Sequence, residues 1–207
     1  HGQGLETTLA QVVAEELGVR VGDVEVIHGD SAIVAHGTGT YASRSAVLAG
    51  GAAIMSARAV REQVLKAASH ILEADAGDID AANGKIFVKG TDKSISFRDL
   101  ARAVYSEMGR LPREVREDIE LEATRTYDPF FGTATPATHL AMLEIDPETY
   151  QVKILRYGVA EDCGRIINPL IADGQVHGGV AQGIGAALME EVVYDDAGQI
   201  LTASLMD

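Results

Sequence analysis

The sequence predicts an α+β fold. Three observations lead to this prediction: long segments with apolar residues at helical spacing, short segments in which apolar and polar residues alternate, and a hairpin signal at Asn83-Gly84. Of the 207 residues, 46% are hydrophobic and 23% are charged, which is typical of a chain that buries a core. No linker-like run marks a domain boundary, and no internal repeat is present.

The first third of the chain alternates helix, strand and loop signals. The opening segment predicts a glycine-bracketed turn and then a helix that Gly18 terminates. The alternating segment VEVIH (24–28) predicts a strand, and residues 29–44 are small and polar, as in a loop. A long helix rich in Ala and Gly is predicted over 45–72, with outward-facing cationic side chains.

The rest of the chain predicts more strands than helices. Short strands around the hairpin are expected within 78–96, and 97–108 has the period of an amphipathic helix. Pro169 begins a helix that continues through Val192, and QILTASL near the end resembles a strand. Three further extended segments are expected, the last two joined by a hairpin at 147–149: 119–127, 138–146 and 150–162.

The charge balance excludes several function classes. Seventeen basic against 31 acidic residues give a net charge of −14, which argues against a nucleic-acid groove or a basic membrane surface. No apolar stretch approaches the roughly 20 residues that a membrane span needs.

Cys163 is the one cysteine, so internal disulfides are excluded and a reducing, cytoplasmic setting is expected.

Three glycine-rich segments indicate a possible anion site, namely 1–4, 37–45 and 174–185. Each places glycine or small side chains beside polar groups ahead of a helix, and backbone amides at a helix start bind anions. A phosphate-bearing cofactor held by several loops is one interpretation; close helix packing through glycine is the other. A P-loop does not fit, because no Lys-Ser or Lys-Thr follows the glycines, and a dinucleotide fingerprint fits poorly because no strand precedes Gly179.

Three motifs together resemble the molybdenum-cofactor-binding large subunit of the xanthine dehydrogenase, aldehyde oxidase and aerobic carbon monoxide dehydrogenase family. They are HGQGLETTLAQVVAEELGV, the stretch DVEVIHGDSAIVAHGTGTYASRSAVLAGGAA, and the stretch from DCGRIINP through GQVHGGVAQGIG to the final LMD. The resemblance covers nearly the whole chain, in the family's order and spacing. It implies interleaved helices and mixed sheets, and it implies that residues 1–207 are a partial cofactor-binding domain from the C-terminal part of a longer large subunit.

The resemblance also implies which residues contact the cofactor. Two glutamines match family glutamines that contact the pterin, and a small-residue turn matches the one that holds the cofactor's phosphate region. Amides, hydroxyls and glutamine side chains suit a pterin dinucleotide chemically. The implied cofactor-binding residues are Gln3, Ala42, Ser43, Arg44, Ser45 and Gln175.

The resemblance further implies the enzyme's wider chemistry. The cofactor is expected to be molybdenum-molybdopterin, as the cytosine dinucleotide if the source is bacterial. The complete enzyme is expected to oxidise a small molecule (an aldehyde, an N-heterocycle or carbon monoxide) and to pass electrons to iron-sulfur and FAD subunits or domains within an oligomer. Nucleic acid and membrane are not expected partners.

Departures from the family pattern limit these expectations. Leu5 stands where many carbon monoxide dehydrogenase-like relatives have His, so the substrate class is open. No Glu matches the family's catalytic base, since Glu190 and Glu191 are placed on a helix before the final strand. We therefore assign no catalytic residue and expect the chain alone to be inactive. A non-catalytic scaffold of the same fold, or an ordinary nucleotide-binding enzyme, are the alternatives.

Single residues with metal-binding or thiol chemistry receive plainer interpretations. Cys163 is interpreted as a small packed side chain and not as a metal ligand. The six histidines lack ligand spacing, and no metal ligand is assigned among them. His177, inside the glycine-rich helix, is the best candidate for lining a site. Asp146 and Asp195 are interpreted as solvated turn residues.

Overall fold

The computed structural model describes residues 1–34, 36–37, 39–107, 109–130 and 134–206, and its helices and antiparallel sheets confirm the α+β class. The residues form two compact units, unit 1 (His1–Thr133) and unit 2 (Ala134–Asp207). Whether 1–207 is one partial domain of a longer subunit stays a prediction. In chain order the elements are α1 (Leu5–Leu17), α2 (Ser45–Leu72), β1 (Ile79–Ala82), β2 (Lys85–Val88), β3 (Ser94–Ser96), α3 (Phe97–Tyr105), α4 (Arg113–Glu117), β4 (Ala137–Ile145), β5 (Val152–Glu161) and α5 (Pro169–Leu188).

Helix α1 lies along the first half of α2. The Arg58 guanidinium of α2 donates two hydrogen bonds of 2.9 Å to the carboxylate of Glu16, near the end of α1. Gly50 and Ala57, the buried residues of α2 that precede Arg58, are not part of the core cluster around the sheet. The α2 residues that do belong to that cluster, such as Val64 and Ala67, all follow Arg58, and no residue of α1 belongs to it. Since α1 contacts α2 and ends near Arg58, α1 lies along the part of α2 that precedes Arg58. The two helices therefore run in the same direction and begin at the same end.

A three-stranded antiparallel sheet, in the order β1-β2-β3, covers the second half of α2 and α3. Its first hairpin turns at Asn83-Gly84, where both residues have positive φ (52° and 78°) as a two-residue type I′ turn requires, which confirms the hairpin prediction. Ile86 and Leu100 are the largest fully buried side chains. The core consists of Val64, Ala67, Ala68, Ile79, Ala81, Ile86, Val88, Ile95, Leu100, Val104, Leu111 and Ile119.

The segment after α4 is extended and lies against α2. The Gln63 side chain of α2 accepts a 2.7 Å hydrogen bond from the Glu120 N–H. Further along, the Tyr127 ring packs on Gly51, where a Cβ would lie only 2.2 Å from the ring's Cδ1. The prediction of a strand over 119–127 is therefore wrong, because this segment packs on a helix and pairs with no strand among the described residues.

Unit 2 consists of a β4–β5 hairpin and α5, and none of its described residues is buried. The predicted hairpin is confirmed, with a register shift between Met142 and Leu143. Its β4 strand exposes large apolar side chains, Leu140 at 72% and Ile145 at 58%. Since an isolated hairpin is marginally stable in water, unit 2 has far less internal support than unit 1. None of the described helices is long and apolar enough to cross a membrane.

Five further expectations from the sequence are corrected. Residues 24–28 are not a strand, because no described segment pairs with them. The strand predicted near the end of the sequence is reduced to one bridge, between Tyr194 and Ile200. The glycine-rich segment 174–185 lies inside α5 and not ahead of a helix. Because α5 ends at Leu188, Glu190 and Glu191 follow it as irregular chain. In the predicted helix 97–108, the helix ends at Tyr105, and Met108 lies outside the described residues.

Candidate functional site

The chain makes a strained turn at the start of α2, within the predicted phosphate-binding segment. Ala42 and Ser43 both have positive φ (53° and 52°), and the Arg44 N–H approaches the Tyr41 carbonyl at 3.4 Å. Positive φ at both central residues defines a type I′ turn, which normally contains Asn or Gly. The left-handed conformation costs about 1–2 kcal/mol for each non-glycine residue. Such strain is concentrated at functional sites in proteins, so this turn is a candidate for one.

Side chains around this turn supply both a cation and hydroxyl groups. The Arg44 guanidinium carbon lies 3.7 Å from the centroid of the Tyr41 ring. The Ser45 hydroxyl donates to the hydroxyl of Thr40 at 3.2 Å. Ala42 and Ser43 are exposed and Arg44 and Ser45 are half-buried, so a ligand has access to the turn. Thr38, in the same glycine-rich segment, lies outside the described residues.

The N-terminus of α2 also differs electrostatically from those of the other described helices. It has neither a side-chain cap nor an acidic residue in its first turn. The first turns of α1, α3 and α4 each contain an acidic residue, and α5 is capped by the Asn168 side chain, which accepts from the Ile171 N–H at 3.2 Å. Since the positive end of a helix dipole favours anions, α2 is the described helix whose start best accommodates a phosphate.

Gln3 lies in the turn immediately before α1. Its glycine neighbours Gly2 and Gly4 have positive φ (89° and 76°), and Gln3 itself is half-buried. In the first turn of α1, Glu6 contacts the His28 ring at 3.0 Å. Because α1 and α2 begin at the same end, Gln3 and the turn at 42–45 lie toward the same end of the helix pair. The structure thus places five of the six predicted site residues in one region of unit 1.

Gln175 belongs to unit 2, in the second turn of α5, where it is exposed. Helix residues are about 100° apart, so Gln182, seven positions later, shares its face, whereas His177 lies about 200° away on the opposite face. Gly178 and Gly179 lie between the two glutamines, and a Cβ on either glycine would meet no atom within 4 Å. Gln175 therefore belongs to an open face of α5 that carries two glutamine amides. The sequence analysis assigned Gln175 to the site but not Gln182.

His177 faces a half-open cavity of about 620 Å³ between β5 and α5. The cavity is lined mainly by Val, Ile and Ala, with Glu161, Cys163, Asp173 and His177 as polar members. Cys163 is exposed and not packed as the sequence interpretation has it, because unit 2 covers none of its side chains fully. Among the described residues no group of His, Cys, Asp and Glu could hold a metal ion. His177 lines this cavity, on the face of α5 opposite to Gln175, and its role in a functional site stays a prediction.

The carboxyl groups with a perturbed pKa lie outside these regions. The Arg20 side chain, hydrogen-bonded to Asp23, lowers the pKa of that carboxyl. Backbone N–H groups of Thr149 and Glu148 lower the pKa of Asp146 in the β4–β5 turn, which agrees with its interpretation as a turn residue. Both shifts stabilise the ionised carboxylate locally. They belong to turn geometry and indicate no acid–base catalyst.

Glycine and hydroxyl content indicated the segment 37–45, and the family resemblance implied the turn at 42–45, but neither indicated Tyr41. An aromatic residue three positions before a cation was the available signal, and only the structure places its ring under Arg44. The assignment of the six residues to cofactor contacts stays a prediction. The geometry that supports it is an open helix start next to Arg44, Ser43 and Ser45.

Comparison with known proteins places the whole chain in one family. All 207 residues match the family described as "Molybdopterin cofactor-binding domain". The chain is 42% identical to the 6-hydroxypseudooxynicotine dehydrogenase complex subunit gamma of Paenarthrobacter nicotinovorans, over 100% of this chain and 26% of that protein. It is 37% identical to the carbon monoxide dehydrogenase large chain of Afipia carboxidovorans, over 100% of this chain and 25% of that one.

A solved structure shares the fold. The chain superimposes on the quinoline 2-oxidoreductase of Pseudomonas putida 86 with a TM-score of 0.89 and 43% identity, covering 100% of this chain and 26% of that one. The chain thus spans about a quarter of the length of these relatives. Full coverage by the family and these identities confirm the resemblance found in the three motifs, and the chain belongs to the molybdopterin cofactor-binding domain family.

Proposed function

We propose that this chain is the cofactor-binding segment of a molybdenum hydroxylase that oxidatively hydroxylates an aldehyde, an N-heterocycle or carbon monoxide. The observation that carries the proposal is the open start of α2, preceded by the strained turn at Ala42-Ser43. Arg44 and Ser45 add a guanidinium and a hydroxyl at the same place. When bound, the molybdenum cofactor supplies the redox centre for oxidation of the substrate.

The residues present fit the phosphate region of such a cofactor. Hydroxyls of Ser43 and Ser45, the Arg44 guanidinium and the first-turn amides of α2 are all donors, and the first turn contains no carboxylate that would repel a phosphate. In a chain of net charge −14, this local set of donors offsets the electrostatic repulsion that the acidic residues exert on an anionic ligand. Gln3 and Gln175 would offer amides that pair with the donor and acceptor edge of a pterin.

Three finer features belong to the proposal. The cofactor is the cytosine dinucleotide form, iron-sulfur and FAD subunits or domains receive the electrons, and the complete enzyme is an oligomer in the cytoplasm. The names of two relatives support the subunit composition, since they are a complex subunit and a large chain. Acid hydrolysis of the released cofactor, followed by chromatography of the base, tests the dinucleotide: guanine or no base would contradict the cytosine form.

The cofactor assignment is tested by the pterin and molybdenum content of the purified chain and of glutamine variants. We expect Gln3→Ala and Gln175→Ala each to lower the bound pterin, because each removes an amide that pairs with the ring. Gln151→Ala is the matched control, since Gln151 is an exposed glutamine in the β4–β5 turn. If both variants retain as much pterin as the control, the chain is a non-catalytic scaffold of the same fold.

Activity gives a second, independent test. No glutamate of this chain is assigned as a base, so we expect no dye-linked oxidation of aldehydes, N-heterocycles or carbon monoxide by the chain alone. Turnover without added subunits would contradict this expectation. A thermal stabilisation by ATP or NAD would instead favour an ordinary nucleotide-binding enzyme.

A further inference from the structure

The Tyr41–Arg44 turn is closed twice, once by its backbone and once by its side chains. The Arg44 N–H approaches the Tyr41 carbonyl at 3.4 Å, and the Arg44 guanidinium lies 3.7 Å from the centroid of the Tyr41 ring. The two residues between them, Ala42 and Ser43, have a left-handed backbone conformation, which is energetically unfavourable for any residue that carries a side chain. The cation–ring contact therefore spans the strained part of the turn.

The same contact determines where the positive charge lies relative to α2. Arg44 is the residue that immediately precedes the first helical residue, Ser45. An arginine side chain has many rotamers in solution, and fixing one of them on binding costs entropy. A guanidinium that already rests on an aromatic face has lost part of that freedom before a ligand arrives, so less is lost on binding.

We propose that Tyr41 is a positioning residue for the phosphate region of the cofactor, acting through Arg44. Its ring holds the guanidinium at the N-terminal end of α2, where the helix dipole and the Ser45 hydroxyl also favour an anion. This inference rests on the proposed function. Tyr41 itself does not have to touch the ligand; its effect depends on the presence of the Arg44 side chain.

Tyr41 is 53% exposed, so changing it removes little core packing. Tyr41→Phe keeps an aromatic face for the cation, whereas Tyr41→Leu keeps an apolar side chain without one. Tyr105→Leu is the matched control, because Tyr105 is also exposed, at 64%, and lies at the end of α3. Urea unfolding of every variant separates a loss of binding from a loss of folding.

The experiment is a double-mutant cycle with inorganic pyrophosphate as the probe, titrated calorimetrically onto the 207-residue chain. We expect Tyr41→Leu to weaken binding about two- to five-fold, the range for an exposed cation–π contact. Tyr41→Phe and the Tyr105→Leu control should bind like the wild type. Arg44→Gln should weaken binding more and flatten its salt dependence, and adding Tyr41→Leu to it should cause no further loss.

Two sets of results overturn the proposal, and they differ. If the wild type binds pyrophosphate but Tyr41→Leu weakens it equally with and without Arg44, or if Phe is as harmful as Leu, Tyr41 does not act through Arg44. If the wild type neither binds pyrophosphate nor contains pterin, the proposed function fails and the role of Tyr41 fails with it.

Discussion

Replacing Gly18 with Ala is expected to destabilise unit 1 strongly, for two reasons that the structure separates. Gly18 ends α1 with φ 74°, and a Cβ built there lies 2.1 Å from the Ala81 carbonyl oxygen in β1. The left-handed conformation costs an alanine about 1–2 kcal/mol. Overpacking against a neighbour that must move adds about 1–3 kcal/mol. Because the neighbour is backbone and not a flexible side chain, the clash cannot be relieved by a rotamer change.

The expected total is a loss of about 2–5 kcal/mol in the free energy of unfolding. Shifting β1 also disturbs the hydrogen bond of 2.9 Å that the Gly84 N–H donates to the Gly18 carbonyl. The measurement is urea unfolding of the 207-residue chain followed by far-UV circular dichroism, with the slope m compared between variants.

Two other glycines provide controls for the two causes. Gly90 has φ 75° but open space around its Cβ position, so Gly90→Ala should cost only about 1–2 kcal/mol. Gly22 has neither a positive φ nor a neighbour within 4 Å, so Gly22→Ala should remain within about 1 kcal/mol of the wild type. The reasoning is refuted if Gly18→Ala costs no more than Gly90→Ala.

Two further predictions concern ion pairs and pH. Arg61→Ala should lower the free energy of unfolding by about 1–3 kcal/mol, because the half-buried Arg61 donates to the Glu16 carbonyl and to Asp80. Urea unfolding measures this loss. A loss no larger than that caused by Arg58→Ala, at an exposed arginine, would contradict the prediction. The lowered pKa of Asp146 means that its hairpin-stabilising contribution is complete at neutral pH and is lost as pH falls through that lowered pKa. The protection factors of amides in the β4–β5 turn, corrected for intrinsic exchange at each pH, should therefore fall in acid more in the wild type than in Asp146→Ala; an equal fall would exclude the carboxylate.

Local sequence was sufficient for most helices and for both hairpins. The helices α1 and α2 were predicted because periodicity and the Gly18 stop act within a few residues. The Asn83-Gly84 turn was predictable because its two positive φ values select those residue types. The strands expected at 24–28 and 119–127 failed because an alternating pattern does not state which segment, if any, pairs with it.

The same distinction between local sequence and tertiary structure applies to the candidate site. By itself the sequence determined the family and the chemistry of the glycine-rich segment, since these depend on residue types and spacing, and the resemblance to the family implied the candidate residues. Tertiary structure decided that α1 and α2 start at one end, that Tyr41 lies under Arg44, and that His177 faces a cavity between β5 and α5. These relations depend on how elements pack and on which backbone conformation a turn adopts, and neither is encoded by local periodicity.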